Sequence, residues 1–159
     1  MKILLDNTSV TDIPLMQAEQ FWISAAENGF IELLQLLLQY PNLKTTYIPF
    51  YRACSAGQAE AVRLLAPTVQ IKELQEGLLC AARAGRVRAT KALLEEPRLD
   101  PSFDNNKALQ VANANGHPAV ITVLTMDSRV HKNLNSEQLV NNLKDFLLSP
   151  VSKFPLFPG

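Results

Sequence analysis

The chain has 159 residues, 47% of them apolar and 19% charged, enough to bury the core of one ordinary domain, and 15 basic residues balance 15 acidic ones. That balance gives no global electrostatic reason to seek nucleic acid or an anionic membrane, and Cys54 and Cys80 form neither a disulfide framework nor a CxxC pair. The opening MKILLDNTSV has a hydrophobic run of three residues, too short for a secretory signal or a membrane span, so a cytosolic folding site is expected.

Residues 1–15 hold the trio Ile3-Leu4-Leu5 and then turn-like residues through Asp12 and Pro14, and read as an N-terminal cap. From Met16, the apolar positions Phe21, Trp22, Ala25 and Ala26 predict a helix that stops near Asn28-Gly29. A second helix is expected from Ile31 to about Gln39, its near-continuous leucines at 33, 34, 36, 37 and 38 implying burial on most of its circumference. After the connection Asn42 to Tyr47, a second pair is predicted at Ile48 to Ala56 and Ala59 to Ala66, with Pro49 in the first turn and Pro67 as a stop. A third pair spans about Lys72 to Ala84 and Val87 to Glu95, ended by Pro97. The turn-rich PRLDPSFDNN leads to a fourth, about Lys107 to Asn115 and Pro118 to Thr125, with Asn105 or Asn106 as a candidate cap. Polar residues run from Asp127 to Asn135, Ser136 can cap a last helix from Glu137 to Leu148, and residues 150–159 form a proline-rich tail.

The four pairs align on Gly29, Gly57, Gly85 and Gly116, spaced 28, 28 and 31 residues apart. Four residues before each glycine stands an alanine, Ala25, Ala53, Ala81 or Ala112, as expected where two helix backbones approach closely. Seven residues before it lies Trp22, Phe50, Leu78 or Leu109, and eight after it Leu37, Leu65, Leu93 or Leu124. These large residues are expected to interleave as a continuous core along a stack of helix pairs.

Residues 17–126, with Ala25-Ala26, Ala81-Ala82, Pro49, Gly116-His117 and the second-helix segment Phe30 to Leu38, resemble the ankyrin-repeat family. The resemblance implies an all-α helical solenoid of four divergent ankyrin-like helix-turn-helix repeats, about 16–41, 47–67, 72–97 and 105–126, with terminal capping helices. The copies lack the family's first-helix threonine and histidine, and their 28-residue spacing implies abbreviated connections, with only Asp100 to Asn106 long enough for a near-normal finger. Helical solenoids of the tetratricopeptide or HEAT kind are the structural alternative.

The resemblance also implies a protein-interaction module whose variable outward residues line a concave face. The candidate partner-binding residues are Glu27, Asn28, Tyr47, Arg52, Arg83, Asn106 and Asn115. The alternative is a structural or regulatory repeat domain of a larger protein, docking through its apolar tail. Catalysis is not expected: no Ser/His/Asp or Cys/His set is apparent, each glycine stands alone, and His117 sits where a structural hydrogen bond is expected. No cofactor or metal is expected, nor a membrane. A monomer is expected, and nucleic acid binding through Arg83, Arg86, Arg88 and Lys91 is the weakest possibility. Degenerate repeats of this kind also occur in bacterial effectors aimed at a host cytosol.

Overall fold

The computed structural model of the chain describes residues 15–40, 47–131 and Lys144. Its elements run α1 (Leu15–Asn28), α2 (Ile31–Leu38), α3 (Ile48–Ala56), α4 (Ala59–Leu65), a 3-10 turn (Ala66–Thr68), α5 (Ile71–Arg83), α6 (Val87–Leu94), α7 (Phe103–Ala114), α8 (Pro118–Met126) and α9 (Ser128–His131). No strand occurs among the described residues. α1, α3, α5 and α7 stack in chain order as one layer, and α2, α4, α6 and α8 stack as a second beside it. The arrangement is a helical repeat solenoid, in which each pair completes its core with its neighbours.

The reversal inside each pair has one construction. Gly29, Gly57, Gly85 and Gly116 have φ of +71°, +83°, +67° and +68°, a left-handed conformation open to glycine at no steric cost. The next residue donates its N–H to the carbonyl of the aligned alanine: Phe30 to Ala25, Gln58 to Ala53, Arg86 to Ala81 and His117 to Ala112, at 2.8 to 3.0 Å. This gives a helix-end carbonyl a partner from beyond the turn, and the Ala53 carbonyl also accepts from the Gly57 N–H at 3.0 Å. The four alanines are also 0% exposed, so one position serves both the close approach of helices and the turn.

The large residues aligned before and after the glycines are all buried: Trp22, Phe50, Leu78 and Leu109 in the first layer, Leu37, Leu65, Leu93 and Leu124 in the second. Gly77, inside α5, belongs to the same core. A Cβ there would stand 2.5 Å from Cε1 of Phe50 and 3.1 Å from Sγ of Cys54, so α3 can approach α5 this closely only because the side chain is missing.

The structure differs from expectation in places. α2 buries only Leu34 and Leu37 and leaves Leu38 37% exposed, because among the described residues it has a neighbour in its own layer, α4, on one side only. Pro67 does not end the second pair outright but sits in the 3-10 turn that extends α4, where the Thr68 hydroxyl donates to the Leu65 carbonyl at 2.7 Å. Within α7, Asp104, Asn105 and Asn106 have φ of +47°, +57° and +58°, a left-handed turn before the right-handed helix starts. Asn106 does not cap that helix: its amide is buried and has no hydrogen-bond partner. The stretch after Asp127, expected as polar connection, begins with the short helix α9. The expected cap over 1–15, except Leu15 at the start of α1, most of the connection before Tyr47, and the last helix and tail lie outside the described residues, Lys144 excepted. Among the described residues no helix is long and apolar enough to cross a membrane.

Candidate functional site

Two ladders of side-chain hydrogen bonds fix how successive pairs sit on each other. In the first layer, the residue after each of the last three repeat glycines reaches back to the preceding pair. Gln58 Nε2 donates to the Glu27 carbonyl at 3.1 Å, Arg86 Nε donates to the Ser55 carbonyl at 2.8 Å, and His117 Nε2 lies 2.9 Å from the Arg83 carbonyl. Each acceptor stands two residues before the preceding glycine. The reaching side chain also covers that glycine: a Cβ on Gly29 would lie 2.7 Å from Gln58 Oε1, and one on Gly85 2.7 Å from His117 Nδ1.

The second ladder joins helix ends in the other layer. Arg98 donates to the carbonyls of Val69 at 3.0 Å and Ala66 at 2.7 Å, and is steadied by Glu96 at 2.8 Å. Arg129 repeats this, donating to Leu99 at 2.8 Å and Leu94 at 2.7 Å while paired with Asp127 at 2.7 Å. Bonding to Arg129 holds the Asp127 carboxyl below the usual carboxylate range. Arg63 adds a fork to Glu95, at 2.7 and 2.9 Å.

On this frame the outward side of α3 and α5 carries a group of polar and aromatic side chains. Tyr47 and Tyr51 lie one turn apart with ring centroids 5.0 Å apart and planes tilted by 44°. Tyr47 is 50% exposed, whereas Tyr51 is half-buried. Burial pushes the Tyr51 phenol up to about 12, and the negative charges of Glu73 and Glu76 on α5 add to the rise. Burial also raises the Cys80 thiol, opposed by the positive charge of Arg83 and by a hydrogen bond with Ser55. Tyr47 at the start of α3, Tyr51 and Ser55 on it, and Glu73, Glu76, Cys80 and Arg83 from α5 therefore form one electrostatic neighbourhood. Glu73 Oε2 within it is buried and accepts no hydrogen bond. Cys54 lies behind, in the core, where burial holds its thiol well above the ordinary range and keeps it a poor nucleophile.

The candidate residues from the sequence fall in different places. Tyr47 and Arg83 belong to this neighbourhood, and Arg52 is exposed on α3. Glu27 and Asn28 are exposed at the end of α1, and Asn115 is exposed at the far end of the layer. Asn28 and Asn115 make the same local bond, Nδ2 to the carbonyl four residues back, Ser24 and Val111, each at 2.8 Å. Asn106, expected at a loop tip, is 2% exposed, because the left-handed turn folds it inward. Glu73 and Glu76 were not singled out by the sequence. The pointer to them is the repeat alignment, which sets first-helix positions of the third copy beside Tyr51 of the second.

The basic cluster is split by the fold. Arg83 belongs to α5 and the first layer, Arg88 and Lys91 are exposed on α6 in the second, and Arg86 Nε is held by the Ser55 carbonyl. Among the described residues no group of three or more His, Cys, Asp or Glu side chains could hold a metal ion. The chain matches no protein-family model and no curated protein closely enough to mark a relative.

Proposed function

We propose that the chain is an ankyrin-like, non-enzymatic repeat module of the cytosol that binds a protein partner through the outward side of its first-helix layer, centred on Tyr47, Tyr51 and Arg83. The observation that carries this is the aromatic and charged neighbourhood of α3 and α5, with Tyr47, Glu76 and Arg83 exposed, set on backbone that two ladders of hydrogen bonds hold in place. Tyrosine and arginine give large contact area with polar reach, and a stack that orders them beforehand lowers the entropy cost of binding. The glycine reversal with its alanine anchor supports the ankyrin-like assignment. The non-enzymatic reading rests on how reactive groups are used: the His117 ring spans two pairs and the Cys54 thiol is core.

The test is affinity capture from a cytosolic proteome with the intact chain, set beside the Tyr47→Ala/Arg83→Glu double variant. Neither side chain contributes to the described core, so the variant should keep its thermal midpoint and lose the partners that the parent retains. A folded double variant that captures the same proteins with equal yield removes the assignment to this face.

A further inference from the structure

Asparagine followed by glycine is a chemically labile step, because a glycine nitrogen with no neighbouring Cβ in its way can attack the carbon of the asparagine side-chain amide. The chain has two such steps, Asn28-Gly29 and Asn115-Gly116, each at the reversal inside a pair. Locally they are alike. Both asparagines are exposed, both hold Nδ2 on the carbonyl four residues back at 2.8 Å, and both glycines are left-handed, with φ of +71° and +68°.

The first-layer ladder separates them, because its rungs all run one way. Each reaches back to the preceding pair, so the first pair is held from the second, and the last pair has no rung above it among the described residues. Gln58 lies over Gly29, where a Cβ would meet its Oε1 at 2.7 Å, and its Nε2 pins the Glu27 carbonyl at 3.1 Å. Gly116 is exposed, and a Cβ on it would meet nothing within 4 Å. Attack also requires the backbone to move. Asn115 has ψ of 2°, which turns the Gly116 nitrogen away from the side chain, and the Gly116 N–H donates to the Asn113 carbonyl at 3.0 Å. Reaction waits on local opening of the turn, which is easier where fewer contacts hold the backbone.

We infer that Asn115 is a site of spontaneous modification, converted through a cyclic imide to aspartate and isoaspartate, and that the isoaspartyl form loosens the last pair. The Gly116 nitrogen bonds to Cγ of Asn115 as it gives its proton to solvent. The Cγ–Nδ2 bond breaks, and Nδ2 leaves as ammonia with a proton taken from solvent. Water then opens the ring, with no oxidation or reduction. Attack of water at Cγ gives aspartate in an ordinary main chain, and attack at the main-chain carbonyl carbon gives isoaspartate, whose main chain is longer by a methylene. That extra length enters the reversal where the Gly116 and His117 N–H groups bond to Asn113 and Ala112, both at 3.0 Å, and where the His117 ring holds the Arg83 carbonyl at 2.9 Å. Either product also loses the Nδ2 donor to Val111 and places a negative charge at the C-terminal end of α7, where the helix dipole disfavours it. This chemistry is independent of whether the first-layer face binds a partner.

The intact chain is incubated folded, at neutral and mildly alkaline pH, and in parallel unfolded in urea. After digestion, the peptides carrying Asn28 and Asn115 are quantified by mass spectrometry, with the isoaspartyl forms separated by chromatography. In urea the two steps should convert at similar rates. In the folded chain Asn115 should convert at least about tenfold faster than Asn28, which corresponds to about 1.4 kcal/mol in the cost of local opening. Gln58→Ala uncovers Gly29 and leaves the backbone bond from Phe30 to Ala25 in place, so it should speed conversion of Asn28 and leave Asn115 unchanged. In the purified isoaspartyl protein, amide exchange should quicken in α8 and stay as it was in α3. Conversion of Asn28 as fast as Asn115 in the folded chain, no conversion of Asn115 while folded, or an Asn28 rate that Gln58→Ala does not raise overturns the modification site. Unchanged exchange in α8 overturns the loosening.

Discussion

Gly77 is the residue whose role the sequence hides best. The repeat alignment draws attention to the glycines that share a position, and Gly77 shares none, yet a Cβ on it would meet the Phe50 ring at 2.5 Å. Gly77→Ala should therefore lower stability despite a helix-propensity gain of about 1 kcal/mol, because overpacking a core costs roughly 1–3 kcal/mol. Denaturant midpoints would show this, and Phe50→Leu in the same chain should restore part of the loss. Asn106 was misplaced for a related reason: its polarity and its turn-rich neighbours suggest a loop tip, while the backbone angles that bury it are not written in composition. Within that turn, Asn105→Val should destabilise by roughly 1–2 kcal/mol, since a β-branched side chain resists the left-handed conformation that asparagine tolerates. Tyr51 gives a prediction in pH. The folded chain holds its proton to about 12 and the unfolded chain releases it near 10.0, so the stabilisation is fully present below pH 10 and is lost as pH rises through 12. Tyr51→Phe should flatten the alkaline fall in the unfolding midpoint, measured between pH 8 and pH 12.

Between elements, the informative bonds run from side chain to main chain. Arg98 and Arg129 both follow an acidic residue by two positions and both fork onto carbonyls of the preceding pair. They are 31 residues apart, the same interval that separates Gly85 from Gly116, so the signal was present in the spacing. It went unread because charges near a helix end look solvated until the orphaned carbonyls of the neighbour are placed beside them. Arg129→Ala should cost roughly 1.5–3 kcal/mol, the range for hydrogen bonds from a charged donor. Arg129→Lys should recover little of it, because an ammonium cannot span Leu94 and Leu99 as a planar fork does. The Asp127 carboxyl adds an acid limb: its folded affinity for protons is lowered by Arg129, so its contribution is present above the usual carboxylate range and lost as pH falls through and below it. Asp127→Asn should reduce acid sensitivity in unfolding scans, and unchanged acid sensitivity would remove this limb of the argument.

For the whole molecule, the alternation of alanine, glycine and large apolar residues was enough to predict an all-α stack, because a solenoid repeats one packing problem and so writes its solution several times. The proposed binding face was less legible. It is written once, across two helices that are adjacent only after stacking, and Tyr51 acquires its acidic company from the next pair. Since each pair depends on its neighbours, truncation in the middle should spread further than truncation at an end. Leu78→Ala, at a fully buried central position, should cost about 2–5 kcal/mol, with hydrogen-exchange protection falling in α3 and α7 as well as in α5. The first-layer ladder has one more consequence. Glutamine, arginine and histidine all serve as its rungs, and what they grip is the backbone of Glu27, Ser55 and Arg83, three residues with nothing in common as side chains. The side chains at these positions are thereby free to drift without loosening the spine beneath them, so, on the proposed reading of this face, what the protein recognises can change faster than how it stands.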